Sequence, residues 1–211
     1  MKANNTAKVF GKYAKVYENK FMDLNLFHDT YDNFLEYLPR IDSAILDIGC
    51  GPGNITKYLL DNFPKLNIIG IDIADEMLLL AAENNPSANF KLMDCNSIHN
   101  ISSSFDGIII GFCLPYLSKE EVNTFIRNAY QLLNTNGVLY ISTMEGPYED
   151  SKYVGPSTGD DESIYTYYYQ EEYLKNLLQK NRFNILETVR KKQQTENNNL
   201  EATDIVLIAQ K

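Results

Sequence analysis

The sequence predicts an α/β protein: a doubly wound, mostly parallel sheet with helices on both faces and an antiparallel hairpin at its C-terminal end. Three observations predict it. From Ser43 to Met144, short apolar runs alternate with amphipathic helical stretches, the rhythm of parallel βαβ units. Three of those runs are nearly continuous in apolar residues, as strands covered on both faces are. The last two runs, "FNILETVRKK" and "ATDIVLIAQK", are joined by the polar turn "QTENNN", a connection so brief that the pair must be antiparallel.

The elements follow in order. Residues 1–40 read as an N-terminal helical cap on a domain over 41–211, the whole expected to fold as one domain. "TAKVFGKYAKVYENKF" places Val9, Tyr13, Val16, Tyr17 and Lys20 at helical spacing. "DLNLFHDTYDNFLEYLP" repeats the pattern with Leu24, Phe27, Tyr31, Phe34, Leu35 and Leu38, and Pro39 closes it. "AILDIG" is a buried strand, and "NITKYLLDNF" a helix stopped by Pro64. "LNIIGIDI" is the second strand. "DEMLLLAAENN" is a helix with Asp75 as its N-cap and Asn85–Pro86 at its end. "ANFKLMD" and "FDGIIIGF" are the third and fourth strands. "SKEEVNTFIRNAYQLLNTNG" is a helix with a capping box at Ser118 and Glu121, and Gly137 after its end. "GVLYISTM" is the fifth strand. A long loop, "EGPYEDSKYVGPSTGDDESI", leads to the helix "QEEYLKNLLQKNRF" and the terminal hairpin.

Bulk properties narrow the partners. The chain has 211 residues, enough for a sizeable core, and 44% of them are hydrophobic. Its net charge of −9 repels nucleic-acid phosphates and anionic membranes, so neither is an expected partner. The one short basic cluster, Val189–Gln194, reads as a solvated strand end. The three cysteines, Cys50, Cys95 and Cys113, form no C-x-x-C pair, so no metal site is expected and a reducing compartment fits. The N-terminal stretch lacks the apolar core of a signal peptide, and no run has the length of a membrane span; the expectation is a cytoplasmic protein.

The stretch "ILDIGCGPGNIT" carries the strongest chemical signal. Gly49, Gly51 and Gly53 stand between a strand and a helix, in the loop Gly49–Asn54. They remove the side chains that would keep a ligand off the backbone, and the helix offers free N–H groups. Asp72 ends the second strand, 19 residues after Gly53, where an acid accepts hydrogen bonds from ribose hydroxyls. A dinucleotide fingerprint would need a third glycine where Asn54 stands, and Asp47 would repel a pyrophosphate. Beside a cationic ligand Asp47 is favourable, directly or through water.

In order and spacing, "LDIGCGPGNIT", "IIGIDIADEML", "FKLMDCNSI" and "FDGIIIGFCLPYLS" resemble the signature segments of class I S-adenosylmethionine-dependent methyltransferases, over about residues 10 to 211. The resemblance implies a seven-stranded sheet with an antiparallel seventh strand, and S-adenosyl-L-methionine as cofactor. It implies that Asp47, Gly49, Cys50, Gly51, Gly53 and Asn54 surround the methionine part, and that Asp72 takes the ribose. Ile73 and Met77 would flank the adenine. Asp94 would meet its amino group, with Cys95 and Asn96 alongside. Gly111 and Phe112 would lie where cofactor and substrate meet, and Tyr13 and Tyr17 would cover the cofactor. Read alone, Asp94 equally caps the next turn, Cys95 and Cys113 are small fillers, and the two tyrosines are core residues.

The implied activity is transfer of the cofactor methyl group to a small-molecule acceptor by in-line displacement, with the chain supplying alignment. No catalytic residue stands out. His28 fits a helix face and His99 a polar loop, while Glu145 either orients an acceptor or is solvated. No Asn/Asp–Pro–Pro–aromatic segment follows the fourth strand, and no Lys–Asp–Lys–Glu set is present, which with the acidic charge points to a small molecule. Tyr165, Tyr167 and Tyr168 form either an aromatic wall or a half-exposed strand. Where many relatives carry glycine this chain has Arg182, and Asn181 is expected to take the left-handed cap. Two rival readings remain: a non-catalytic module binding the same cofactor, and a nicotinamide-dependent oxidoreductase, which the missing third glycine and the terminal hairpin disfavour.

Overall fold

The structure, a computed structural model, describes residues 2–155, 162–194 and 201–211. Three helices come first: α1 (Lys2–Lys12), α2 (Ala14–Phe21) and α3 (His28–Glu36). Strands β1 (Ala44–Ile48), β2 (Asn67–Asp72), β3 (Asn89–Leu92), β4 (Phe105–Gly111) and β5 (Leu133–Met144) then alternate with helices α4 (Asn54–Asn62), α5 (Asp75–Asn84) and α6 (Lys119–Leu132). A two-stranded arm, β6 (Lys152–Val154) and β7 (Ile164–Thr166), precedes α7 (Glu171–Lys180) and the long strands β8 (Asn184–Gln194) and β9 (Glu201–Gln210).

The sheet has seven strands in the order β3-β2-β1-β4-β5-β9-β8. Neighbours from β3 to β5 are parallel, and β9 runs antiparallel to both β5 and β8. The mostly parallel, doubly wound sheet with its antiparallel C-terminal pair is thus the fold that the sequence predicts. Its order reverses between β1 and β4, which opens a crevice at the carboxyl ends of these strands. The connection 195–200, read as a polar turn, and residues 156–161 lie outside the described residues.

Period-two alternation explains the two covered faces. In β4, Ile108 and Ile110 face the layer of α6 and α7, while Ile109 faces that of α3 and α4. In β5, Leu139 and Ile141 join the first layer, Val138 and Tyr140 the second. In β9, Ile205 and Leu207 alternate likewise with Val206 and Ile208. Both faces are apolar, so the runs read as continuous rather than alternating. The helices supply Val122, Phe125 and Leu174 on one side and Phe34 and Leu59 on the other.

The N-terminal cap divides between two tasks. Phe27, Tyr31, Phe34 and Leu35 of the α3 region belong to the sheet-covering layer, and Thr30 Oγ1 and Tyr140 Oη share a hydrogen bond of 2.9 Å. Helices α1 and α2 instead pack Phe10, Ala14 and Tyr17 on Ala74 and Met77 at the start of α5. The first expected helix is broken at Tyr13 (φ −105°, ψ 13°), just past Gly11, where an added Cβ would meet the Glu76 carboxylate at 2.3 Å. That break turns Val16 outward, to 50% exposure, while Ala14 and Glu18 are buried.

Local capping differs from expectation in three places. Ala74, not Asp75, is the N-cap of α5, and its N–H is taken by Asp72 Oδ1 at 2.9 Å. After α6 the left-handed residue is Asn136 (φ 62°), not Gly137; asparagine tolerates that region. After α7 it is Arg182 (φ 68°), while Asn181 remains at negative φ. The capping box of α6 forms as read: Glu121 N donates to Ser118 Oγ, and Ser118 N donates to Glu121 Oε2 at 2.7 Å. Ser118→Ala is therefore expected to cost about 1 kcal/mol, read as a lower urea midpoint at unchanged slope.

Candidate functional site

A cavity with about 800 Å³ of free space, open to solvent on one side, sits at the carboxyl ends of β1, β2, β3 and β4. Each strand delivers one part of its wall: Gly49 and Gly51 follow β1, Asp72 and Ile73 end β2, Asp94 to Asn96 follow β3, and Gly111 to Cys113 end β4. Helices α1 and α2 close over it with Thr6, Phe10 and Tyr17, and Met77 rises from α5.

The glycine loop bends back on the sheet. Gly49 N and Cys50 N both donate to Ile71 O, at 2.8 and 3.0 Å. Gly49 (φ 66°) and Gly51 (φ 54°) are left-handed, which leaves bare backbone at the wall. Gly51 N donates to Asp72 Oδ2 at 2.9 Å, so the acid that ends β2 also fixes the loop that leaves β1. Burial raises the Asp72 carboxyl above the usual carboxylate range, and the N–H groups of Ala74, Gly51 and Ile73 oppose that rise. Oδ2, which accepts Gly51 N, keeps a second lone pair for a ligand hydroxyl.

Asp94 has both roles that its position suggests: it faces the cavity, and its Oδ1 accepts Asn96 N at 2.8 Å to cap the 3-10 turn Cys95–Asn100. Cys95 and Cys113 come together in the wall, Sγ to Sγ 3.9 Å. That contact, burial and the nearby Asp94 hold the Cys95 thiol well above its ordinary range, so it is an inert wall atom. Phe112 is left-handed (φ 53°); its N–H reaches Ser142 O at 3.1 Å and its ring packs on Phe27 at 5.1 Å. Tyr17 stands edge-on to Phe10, and burial, then Asp72 and Cys113, push its hydroxyl up to about 12.

Eleven of the sixteen residues expected around a cofactor meet at this one wall: Tyr17, Gly49, Gly51, Asp72, Ile73, Met77, Asp94, Cys95, Asn96, Gly111 and Phe112. Five others lie behind it. Tyr13 sits at the α1–α2 break, with the Lys12 ammonium 5.1 Å from its ring centroid. Cys50 is buried, its thiol directed to Gly51 O. Gly53 serves helix packing: an added Cβ would lie 2.3 Å from Asn85 Nδ2, which donates to Gly53 O. Asn54 begins α4. Asp47 lies under the start of that helix, fully buried, and its Oδ2 accepts Thr56 Oγ1 at 2.7 Å while Oδ1 has no partner.

The Asp47 carboxyl is pushed up to about 7 by burial, with Thr56 opposing and Asp72 adding to the shift. A pKa raised on folding means that the native state holds the extra proton between pH about 4 and 7. Stability is therefore full below that window and falls as pH rises through it, by a few kcal/mol. Urea unfolding of the ligand-free protein at several pH values should show this decline, and Asp47→Asn should flatten it. An equally steep decline in the variant would assign the effect elsewhere.

The candidates for acid–base work do not reach the cavity. His28 stacks on Tyr58 at 4.0 Å, and His99 is exposed, its ring nitrogen 3.2 Å from Asn96 O. Glu145 is gripped by Arg190 through bonds of 2.6 and 2.8 Å, in a separate charged groove. The tyrosines after β5 pack on one another, with Tyr148–Tyr167 stacked at 5.5 Å and Tyr165–Tyr167 at 4.8 Å. The cation over this cluster is the chain's own Lys119, 4.1 Å from the Tyr148 ring centroid. Tyr167 N donates to Pro115 O at 2.7 Å, so the cluster supports the turn that carries Tyr116 into the cavity.

Sequence reasoning missed Thr6, Phe10, Met93, Cys113, Tyr116, Leu117 and Glu121 as wall residues. Met93, Tyr116 and Leu117 stand within the quoted signature segments but no role was read for them, and the capping box of Glu121 marks a helix start rather than a cavity. Phe10 and Tyr116 meet edge-on at 5.0 Å, a contact between residues far apart in the chain that no local pattern encodes.

A profile of methyltransferase domains matches residues 45–137. A malonyl-[acyl-carrier protein] O-methyltransferase of Priestia megaterium is 32% identical over 142 residues, covering 66% of this chain and 48% of the relative. A trans-aconitate 2-methyltransferase of Afipia carboxidovorans is 34% identical over 110 residues, covering 52% of this chain and 42% of the relative. The chain thus spans about half the length of these curated relatives or less. The crystal structure of a Burkholderia thailandensis 1,6-didemethyltoxoflavin-N1-methyltransferase, with S-adenosylhomocysteine bound, superposes with a TM-score of 0.75. It is 19% identical, over 99% of this chain and 88% of that one, a likeness of fold.

Proposed function

We propose that the chain, whose residues 45–137 match a profile of methyltransferase domains, binds S-adenosyl-L-methionine in the cavity at the carboxyl ends of β1 to β4 and methylates a small-molecule acceptor there. One observation carries this reading: a buried acid, Asp72, and two bare left-handed glycines share a wall with Asp94 and the apolar Ile73 and Met77. These residues suit the group in kind. Asp72 accepts from ribose hydroxyls. Ile73 and Met77 offer apolar surface to a base, and Asp94 and Asn96 offer polar atoms at its edge. The buried Asp47 carboxyl, with its orphaned Oδ1 behind the loop, holds a proton in the empty protein, and a cationic ligand nearby would favour its ionised form.

The bound sulfonium supplies an activated methyl group; in transfer, an acceptor lone pair forms the new bond to carbon and the carbon–sulfur pair stays on sulfur. The chain's share is to hold both partners in line and to exclude water, worth several kcal/mol. Phe10, Tyr17, Phe112 and Tyr116 provide that dry wall. No helix among the described residues is long and apolar enough to cross a membrane.

Calorimetric titration with S-adenosylhomocysteine, S-adenosylmethionine and NAD tests the reading. Micromolar binding of both sulfur nucleosides and none of NAD is the expected result. NAD binding as tight as theirs would favour the oxidoreductase instead, and binding of the sulfur nucleosides without turnover of any acceptor would favour a non-catalytic module.

A further inference from the structure

Resting on the reading of this cavity as a methyl-transfer site, we propose that the acceptor is an amine, received by an aromatic and acidic wall and methylated on nitrogen. The wall carries charge of one sign. Asp72 and Asp94, the acids assigned to the nucleoside, line it together with Glu121, which is left for an acceptor, and no lysine, arginine or histidine does among the described residues. The lysines of α1 that stand closest in sequence to Phe10 are directed away: Lys8 and Lys12 pair with Glu162, at 3.0 and 3.5 Å. Lys119, next to the capping box, is held over Tyr148.

The rest of the wall suits a cation as well. Phe10 meets Tyr17 edge-on at 6.0 Å and Tyr116 at 5.0 Å, and Phe112 adds a fourth ring. Ring faces attract a desolvated cation, most strongly where water is excluded. An anionic acceptor would lose its water on entering and find no cationic partner in exchange.

Charge conservation in the reaction points the same way. An amine enters bonding as the free base, its ammonium proton having gone to water. Its lone pair forms the nitrogen–carbon bond, the carbon–sulfur pair remains on sulfur, and the positive charge passes from sulfur to nitrogen. A primary or secondary amine then releases one proton to water. Glu121, the one lining acid not assigned to the nucleoside, therefore stands in a cavity that holds a positive charge throughout, on sulfur before transfer and on nitrogen after it. With an anionic acceptor the positive charge would vanish in the reaction, and the same acid would repel the incoming group throughout.

Glu121 is the acid that can be altered without releasing the loops. Asp72 and Asp94 accept backbone N–H groups that shape the wall, whereas Gln serves as well as Glu in a capping box. The test begins with wild-type protein and S-adenosylhomocysteine; failure to bind that nucleoside sinks the cofactor reading itself. The loaded protein is then titrated with 2-phenylethylamine, 2-phenylethanol, 3-phenylpropionate and trans-aconitate. The amine is expected to bind at least about tenfold more tightly than either acid and more tightly than the alcohol. In Glu121→Gln that preference should fall about threefold or more, with the thermal midpoint near wild type. An acid or the alcohol matching the amine, or no measurable binding of the amine, overturns the proposal while leaving the cofactor site intact. A preference unchanged in Glu121→Gln overturns the acidic part of the wall, since Glu121 is the one lining acid not assigned to the nucleoside.

Discussion

Asp72→Ala is expected to lower the affinity for S-adenosylhomocysteine by about 100-fold or more. Hydrogen bonds to a charged acceptor contribute about 1.5–3 kcal/mol each, and the ribose offers two hydroxyls. At 1.4 kcal/mol per factor of ten, losing both is a drop of roughly two to four decades. The substitution also strips two backbone donors of their acceptor, since Gly51 N and Ala74 N both donate to Asp72 at 2.9 Å. Asp72→Asn separates the two effects. It keeps an acceptor and the side-chain shape, so its stability should stay closer to wild type while binding still falls. Titration calorimetry alongside urea unfolding reads both quantities. An Asp72→Ala protein that binds within about threefold of wild type would remove this residue from the site.

Gly49→Val is expected to be strongly damaging at the cavity wall. Its φ of +66° is a region that costs an L-residue about 1–2 kcal/mol, and a β-branched side chain is the worst fit there. An added Cβ would also stand 3.0 Å from Cys113 Cβ and 3.2 Å from its Sγ, so the β4 end must shift, at about 1–3 kcal/mol more. Gly51→Ala is the control. It meets the same backbone penalty at φ +54°, but its Cβ would have Tyr17 Cε1 at an ordinary 3.7 Å. Denaturant midpoints should therefore order wild type, Gly51→Ala, Gly49→Val, with nucleoside binding lost in the last. Equal stability of the two variants would mean that the Cys113 contact relaxes without cost.

Much of the site was legible because strand ends and a cofactor loop have local signatures. Asp72 and Asp94 each end an apolar run, and the wall lies at strand ends in this topology. Cys50 and Asp47 belong to the same motif, yet they point into the fold: β1 alternates its side chains, and the loop turns back onto Ile71 O. The residues behind Glu145 and the tyrosine run were placed by partners distant in sequence. Arg190 of β8 claims Glu145, and Lys119 of α6 claims the face of Tyr148.

By itself, the sequence determined the order along the chain of the seven main-sheet strands and of the helices between them, the antiparallel end of the sheet and the glycine loop with its following acid. These rest on periodicity and on backbone conformation, which neighbours in the chain control. Only the tertiary structure decided which side chains share the cavity. Phe10, Tyr116 and Glu121 reach it because α1 crosses α5 at Gly11 and the tyrosine cluster braces the turn Leu114–Tyr116. It also moved left-handed geometry to Asn136 and Arg182, where the chain must turn to keep Phe183 and Val138 in the core. Burial of those apolar side chains outweighs the preference of any single turn residue.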